Sequence, residues 1–216
     1  MNKKPIVSQK SDTMEKEYKK RLAENSRFDM TKKHHKETYE EAKAIGRMDE
    51  DFIPLCDFII KTKNYFTSSS CAGRIALIGL SEEETKQESA FYRKWHRTVK
   101  ENEVLEAIHD FKGAVLWFKQ EPLILHLGTN GIENAKKILT LCEKVGIKRA
   151  GIKVAKDGKF IAEILGTQNI NAPVKEGKMI VSDEYIQYLV KKGNEKFKKN
   201  QELIEKLYKE AKKELK

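Results

Sequence analysis

The chain has 216 residues, 39% of them hydrophobic and 35% charged, and carries a formal net charge of +10 from 43 Lys and Arg against 33 Asp and Glu. That length and composition suit one compact globular domain with appendages and argue against a disordered or fibrous chain. Three cysteines without a CxxC pair argue against a disulfide framework or structural zinc, and the lack of a signal-length apolar core or a spanning run predicts a cytoplasmic protein with no membrane partner.

An excess of positive charge is the footprint of a protein that meets polyanions, nucleic acid first among them. Heat adaptation enriches Lys and Glu together and does not require such an imbalance. Residues 1–20 are polar and contain Pro5, so they are expected to be a loose tail ahead of a single domain over 21–216. Residues 32–45 have helical composition, with Gly46 as a stop. In "DEDFIPLCDFIIKTKN", Phe52, Ile53, Leu55, Cys56, Ile59 and Ile60 share a helical face, and Pro54 falls in the first turn, where a missing amide is tolerated.

"IALIGL", after Arg74, reads as a strand, and residues 81–97 as a polar connection. "NEVLEAIHDF" predicts a short helix with Val104, Leu105 and Ile108 inward; "AVLWFKQ" and "EPLILHL" predict strands divided by a Glu-Pro turn or edge. A helix follows over "GTNGIENAKKILTLCEKVG", with Asn130 as its cap and Cys142 in its apolar face. "AGIKVA" and "FIAEILG" form a hairpin around Asp157-Gly158, and "KMIVS" adds a strand. From Ser182 onward the spacing predicts a long terminal helix, with Gly193 as a potential break. The sum is an α/β fold with a mixed, largely antiparallel sheet covered by helices. Without a GxGxxG turn after a first strand, a Rossmann-type fold is not indicated.

The run "FTSSSCAGRI" offers hydroxyls, small side chains and approachable amides, suited to a phosphate, carboxylate or ribose, with Arg74 as a fork for an anion. The plain alternative is a serine-rich turn into a strand, with Cys71 packed as a small core residue. Together with Trp95-His96, His126 in "LILHL" and "GKMIVSDEYIQYL", the run resembles the family of tRNA wybutosine-synthesising protein 3, whose hallmark reads Ser-x-Ser-Ser-Cys-x-Gly-Arg. Thr67 stands for the first serine and keeps the hydroxyl. The likeness is collinear over about residues 26–210, with residues 81–94 and the first 20 outside it.

The resemblance implies a transferase that uses S-adenosylmethionine to methylate N-4 of a tricyclic wyosine precursor at position 37, in the anticodon loop of phenylalanine tRNA. It also implies an α/β fold apart from the Rossmann type. On that footing Ser69, Ser70, Cys71, Gly73 and Arg74 are expected to form a cofactor-binding loop, and His96 or His126 to accept a proton. Trp95 and Arg97 are expected to contact the RNA or its base. For Arg74 an internal salt bridge is the competing role, for His126 a satisfied core histidine, and Cys71 reads as a packed thiol rather than a nucleophile. His34-His35 reads as surface, and no metal is expected. The alternative from a different class is a non-enzymatic tRNA- or rRNA-binding module whose serine run holds phosphate.

Overall fold

The computed structural model describes residues 6–82 and 90–215. The first helix, α1, runs Ile6–Ala44, so the segment expected to be a loose tail is helical from Ile6. Neither Gly nor Pro interrupts these residues, and Lys, Glu and Ala favour the helix. Its apolar pattern is too sparse to announce it: among its described side chains, only the apolar Phe28 and Tyr39 are deeply buried. Gly46, at φ +68°, lets the chain turn back. A single 3-10 turn, Glu50–Phe52, then leads into α2, Ile53–Ile59, with Pro54 in its first turn as expected.

The remaining elements are β1 (Tyr65–Cys71), β2 (Arg74–Leu80), β3 (Ala90–Trp95), α3 (Glu101–Asp110), β4 (Val115–Glu121), β5 (Ile124–Thr129), α4 (Ile132–Lys144), β6 (Arg149–Lys156), β7 (Lys159–Leu165), β8 (Ile170–Glu176), β9 (Lys178–Met179) and α5 (Asp183–Glu214). The expected sheet is divided in two: a four-stranded sheet ordered β1-β5-β7-β6 and a five-stranded sheet ordered β3-β2-β4-β8-β9. Every pairing among the described residues is antiparallel. Three strands lie where none was expected, β1 over the serine run among them. β3 sits inside the segment read as a polar connection, whose residues 83–89 fall outside the described ones, and β8 carries Pro173 beside a register shift against β4.

Three times the chain passes directly from one sheet to the other, from β1 to β2, β4 to β5 and β7 to β8. The turn expected at Glu121-Pro122 carries the chain from one sheet to the other. Each sheet has its own core. Leu125, Leu127, Ala162 and Ile164 pack with Leu55 and Cys56 of α2 and Ile138, Leu141 and Cys142 of α4, as expected for Cys142. Ile75, Leu77, Leu116, Phe118 and Val174 pack with Val104 and Ile108 of α3.

Helix α5 joins the two. Its first half sends Ile186, Leu189 and Val190 into the five-stranded core, and its second half sends Ile204, Leu207 and Ala211 into the four-stranded one. Ser182 caps it by accepting the Tyr185 amide at 3.4 Å. Gly193 does not break it: a Cβ there would lie 3.1 Å from the Phe118 ring, so glycine lets the helix approach the sheet. Asn130 does not cap α4, whose N-cap is Gly131; its side-chain oxygen accepts from Asn134 at 2.8 Å instead. On the far face of the four-stranded sheet lies α1, with the Phe28 and Phe66 rings 5.8 Å apart. His35, read as surface, stacks on Phe66 at 4.8 Å.

Candidate active site

The serine run is strand β1, not a loop, and its side chains therefore alternate between two faces. A register shift between Thr67 and Ser69 places Ser68 outside the regular pairing. Thr67 and Ser70 point inward, 3.9 and 4.0 Å from Cys56 Sγ. Ser69 pairs across the sheet with His126, and His126 with Glu163, so the three form one row on the face that α1 partly covers. The five residues expected to line one cofactor loop are thus dispersed.

At the end of β1 the chain bends into β2. Gly73 adopts φ +95°, and a Cβ there would lie 2.5 Å from both the Glu121 carbonyl oxygen and Asn200 Nδ2. Glycine is required by the crossing itself. Arg74 follows and pairs with Glu121 on β4, the internal salt bridge that competed with an anion-binding role. Its guanidinium also lies 4.5 Å from the centre of the Phe91 ring.

Three side chains from distant parts of the chain converge beside this bend. Asp49, from the turn after α1, accepts the Ala72 amide at 2.6 Å through Oδ2. Its Oδ1 lies 2.8 Å from Nδ1 of His96, at the end of β3. Cys71 Sγ is 3.8 Å from the same nitrogen. These donor atoms lie within 4.8 Å of one another, but both Asp49 oxygens already have partners, so the arrangement is complete as a hydrogen-bonded group. Nδ1–H donation to Asp49 leaves Nε2 of His96 as the acceptor nitrogen.

An open cleft of about 780 Å³ surrounds this group, lined by Arg47, Asp49, Glu50, Asp51, Lys94, Trp95, His96, Arg97 and Gln201 among others. Gln201 of α5 donates to Asp51 at 3.0 Å and fixes one wall. Arg97 is held by Glu103 at 2.6 Å, and Trp95 is half-buried against the five-stranded core. His126 lies elsewhere, 3.0 Å from Glu163, which also takes Lys153 at 3.1 Å. The hydrogen bond from His126, followed by the Lys153 contact, holds the Glu163 carboxyl below its usual range.

Burial and the neighbouring Asp49 charge push the Cys71 thiol up to about 11, so it is protonated and a poor nucleophile at neutral pH. Of the sequence-predicted residues the structure thus brings Trp95, His96 and Arg97 to one cleft, with Cys71 beside His96, while Ser69 and His126 lie outside its lining. Asp49 was missed: nothing local distinguishes it from Glu50 or Asp51. Its role comes from meeting Ala72 and His96, residues 23 and 47 positions away in the sequence.

Fold and site together define an α/β protein of two antiparallel sheets, apart from the doubly wound nucleotide-binding type, with an acid–imidazole pair in an open cleft. The sequence profile of the family described as methyltransferase TYW3 matches residues 21–213. A Pyrococcus abyssi protein named tRNA(Phe) 7-((3-amino-3-carboxypropyl)-4-demethylwyosine(37)-N(4))-methyltransferase 1 is 38% identical over 195 residues, covering 87% of this chain and all of its own. A Thermococcus sibiricus methyltransferase named for the same position is 34% identical over 187 residues, covering 86% of this chain and 95% of its own. The solved structure of the PH1069 protein from Pyrococcus horikoshii superposes with a TM-score of 0.81 at 35% identity, covering 88% of this chain and 97% of that one. The chain belongs to the methyltransferase TYW3 family, the one its serine run and flanking phrases resemble. No helix among the described residues is long and apolar enough to cross a membrane.

Proposed function

We propose that this chain transfers a methyl group from S-adenosylmethionine to N-4 of 7-(3-amino-3-carboxypropyl)-4-demethylwyosine at position 37, in the anticodon loop of phenylalanine tRNA, in the cytoplasm. The observation that carries the reading is the Asp49–His96 pair, 2.8 Å apart, in the cleft, in a chain whose relatives are named for this reaction. The donor set suits the methyl donor: Glu50 complements its positive charge and Arg47 its carboxylate. The sulfonium supplies an electrophilic methyl carbon and a neutral thioether leaving group.

Replacing the hydrogen on N-4 by methyl requires that proton to leave. His96 Nε2 is the group placed to take it, while Asp49 holds the ring through Nδ1 and stabilises the imidazolium that forms. Asp49 thereby positions the base and, through Ala72, ties it to the bend after β1. Trp95 offers a ring edge or face to the tricyclic base at the cleft wall. Gly73 and Arg74 frame the bend that fixes Cys71 and Ala72.

The test is nucleoside mass spectrometry after incubation of the protein with S-adenosylmethionine and phenylalanine tRNA that carries the unmethylated tricyclic base. A gain of about 14 mass units on that nucleoside is expected, one methyl for one hydrogen. With His96→Ala the single-turnover rate should fall on the order of 10²- to 10⁴-fold. Wild-type protein that binds the tRNA and leaves its mass unchanged would overturn the reading.

A further inference from the structure

The two sheets differ in how their faces are covered. The four-stranded sheet has α2, α4 and α5 on one face and α1 on the other, whereas among the described residues α3 and α5 pack on a single face of the five-stranded sheet, that of Ile75, Leu77 and Phe118. An antiparallel sheet can leave one face to water, and such a face is ordinarily polar. This one is not uniformly so. Ile78 is flanked across the strands by Phe91 on β3 and Trp117 on β4, and Ala76 by Lys94 and Lys119 on the same two strands. One row is thus aromatic and the next cationic.

The lysines lean over the rings: Lys94 Nζ is 5.9 Å from the centre of Phe91, and Lys119 Nζ is 6.0 Å from that of Trp117. Phe91 is 44% exposed, an unusual position for a phenylalanine on a solvated strand. Arg74 is neutralised by Glu121, and among the described residues Lys94 and Lys119 are the cations this face offers a ligand. An exposed Phe91 ring beside the half-buried ring of Trp117, interleaved with ammonium groups for phosphates, is what a single-stranded nucleic acid requires. The chain's charge of +10 favours that ligand over an acidic or neutral surface of protein. Lys94 also lines the cleft, Trp95 ends its strand and His96 comes directly after, so the platform runs into the site.

We propose that the open face of the five-stranded sheet is the docking platform for the unpaired nucleotides of the anticodon loop, with bases on Phe91 and Trp117 and phosphates on Lys94 and Lys119. The proposal rests on the function read above and adds where the substrate RNA lies.

Fluorescence anisotropy with a labelled anticodon stem-loop RNA, and with the same stem closed as a fully paired duplex, tests it in the full-length protein. Phe91→Ser should weaken stem-loop binding by about 5- to 150-fold, the range expected for the loss of one base stack, and leave the weaker duplex binding unchanged. Phe91→Tyr should restore it. Lys119→Ala should lower the slope of log affinity against log salt by about 0.7–1. A Lys137→Ala, Lys148→Ala double variant, altered on α4 and in the loop after it, should bind like wild type. Thermal melts confirm that each variant is folded.

If wild type methylates the tRNA while Phe91→Ser and Lys119→Ala bind the stem-loop as wild type does, the platform is wrong and the function stands. If the variants lose binding as expected but wild type never methylates, the platform stands and the function fails. Self-association that Phe91→Ser abolishes would assign the face to a second copy of the chain and overturn the proposal.

Discussion

Gly73→Ala tests the bend on which the cleft depends. Two costs add. Holding an L-residue in the left-handed region, at φ +95°, costs about 1–2 kcal/mol. The new methyl must also be placed 2.5 Å from the Glu121 carbonyl oxygen and from Asn200 Nδ2. The carbonyl belongs to β4, paired with Arg74 in register, and Asn200 is fully buried, so neither gives way cheaply. Overpacking of this kind costs about 1–3 kcal/mol, which brings the total to about 2–5 kcal/mol against a domain stability of about 5–15 kcal/mol.

Gly46→Ala isolates the first cost: Gly46 has φ +68°, and its added Cβ would meet nothing within 4 Å. Urea unfolding followed by circular dichroism should show a midpoint lowered by about 1–2 M for Gly73→Ala and by roughly 0.5 M for Gly46→Ala. Equal shifts for the two variants would refute the reasoning, since they would mean that the crossing is not tightly packed. An unshifted Gly73→Ala would refute the conformational cost as well.

Asp49→Asn should slow methyl transfer while leaving the affinity for stem-loop RNA within about twofold, because Asp49 acts through His96 rather than on the RNA; single-turnover rates and anisotropy separate the two effects. Cys71→Ser should retain activity within a few-fold, and the wild-type thiol should react slowly with iodoacetamide at neutral pH, since burial first and Asp49 second hold it at about 11. Rapid alkylation with loss of activity at pH 7 would refute this. Glu163 has a lowered folded-state pKa, so its contribution to stability is present above the ordinary glutamate value and is lost as pH falls through the lowered one. The melting temperature of Glu163→Gln should accordingly lie below that of wild type at pH 6 and converge with it on acidification; a constant offset down to about pH 2 would contradict the sign.

The sequence by itself determined the elements whose signal lies within one window. The apolar faces of α2, α3, α4 and α5 follow the helical repeat, the β6–β7 hairpin follows Asp157-Gly158, and the strands β2, β4, β5 and β7 follow their apolar runs. It determined the family as well, because a collinear run of phrases constrains identity more than any one motif. The full length of α1 escaped notice because the helix has almost no apolar stripe. β3 and β8 escaped because an edge strand tolerates charge and a register shift admits Pro173.

What only the tertiary structure decided is which distant residues meet. The division into two sheets depends on the chain crossing at Gly73 and at Pro122, and the alternation of β1 splits its serines between two faces. Asp49, Cys71 and His96 become one site solely because α1, β1 and β3 end beside one another. Periodicity is imposed by backbone geometry over a few residues and so can be read locally. A site assembled from three chain segments is fixed by packing between residues far apart in sequence, for which no local pattern stands proxy.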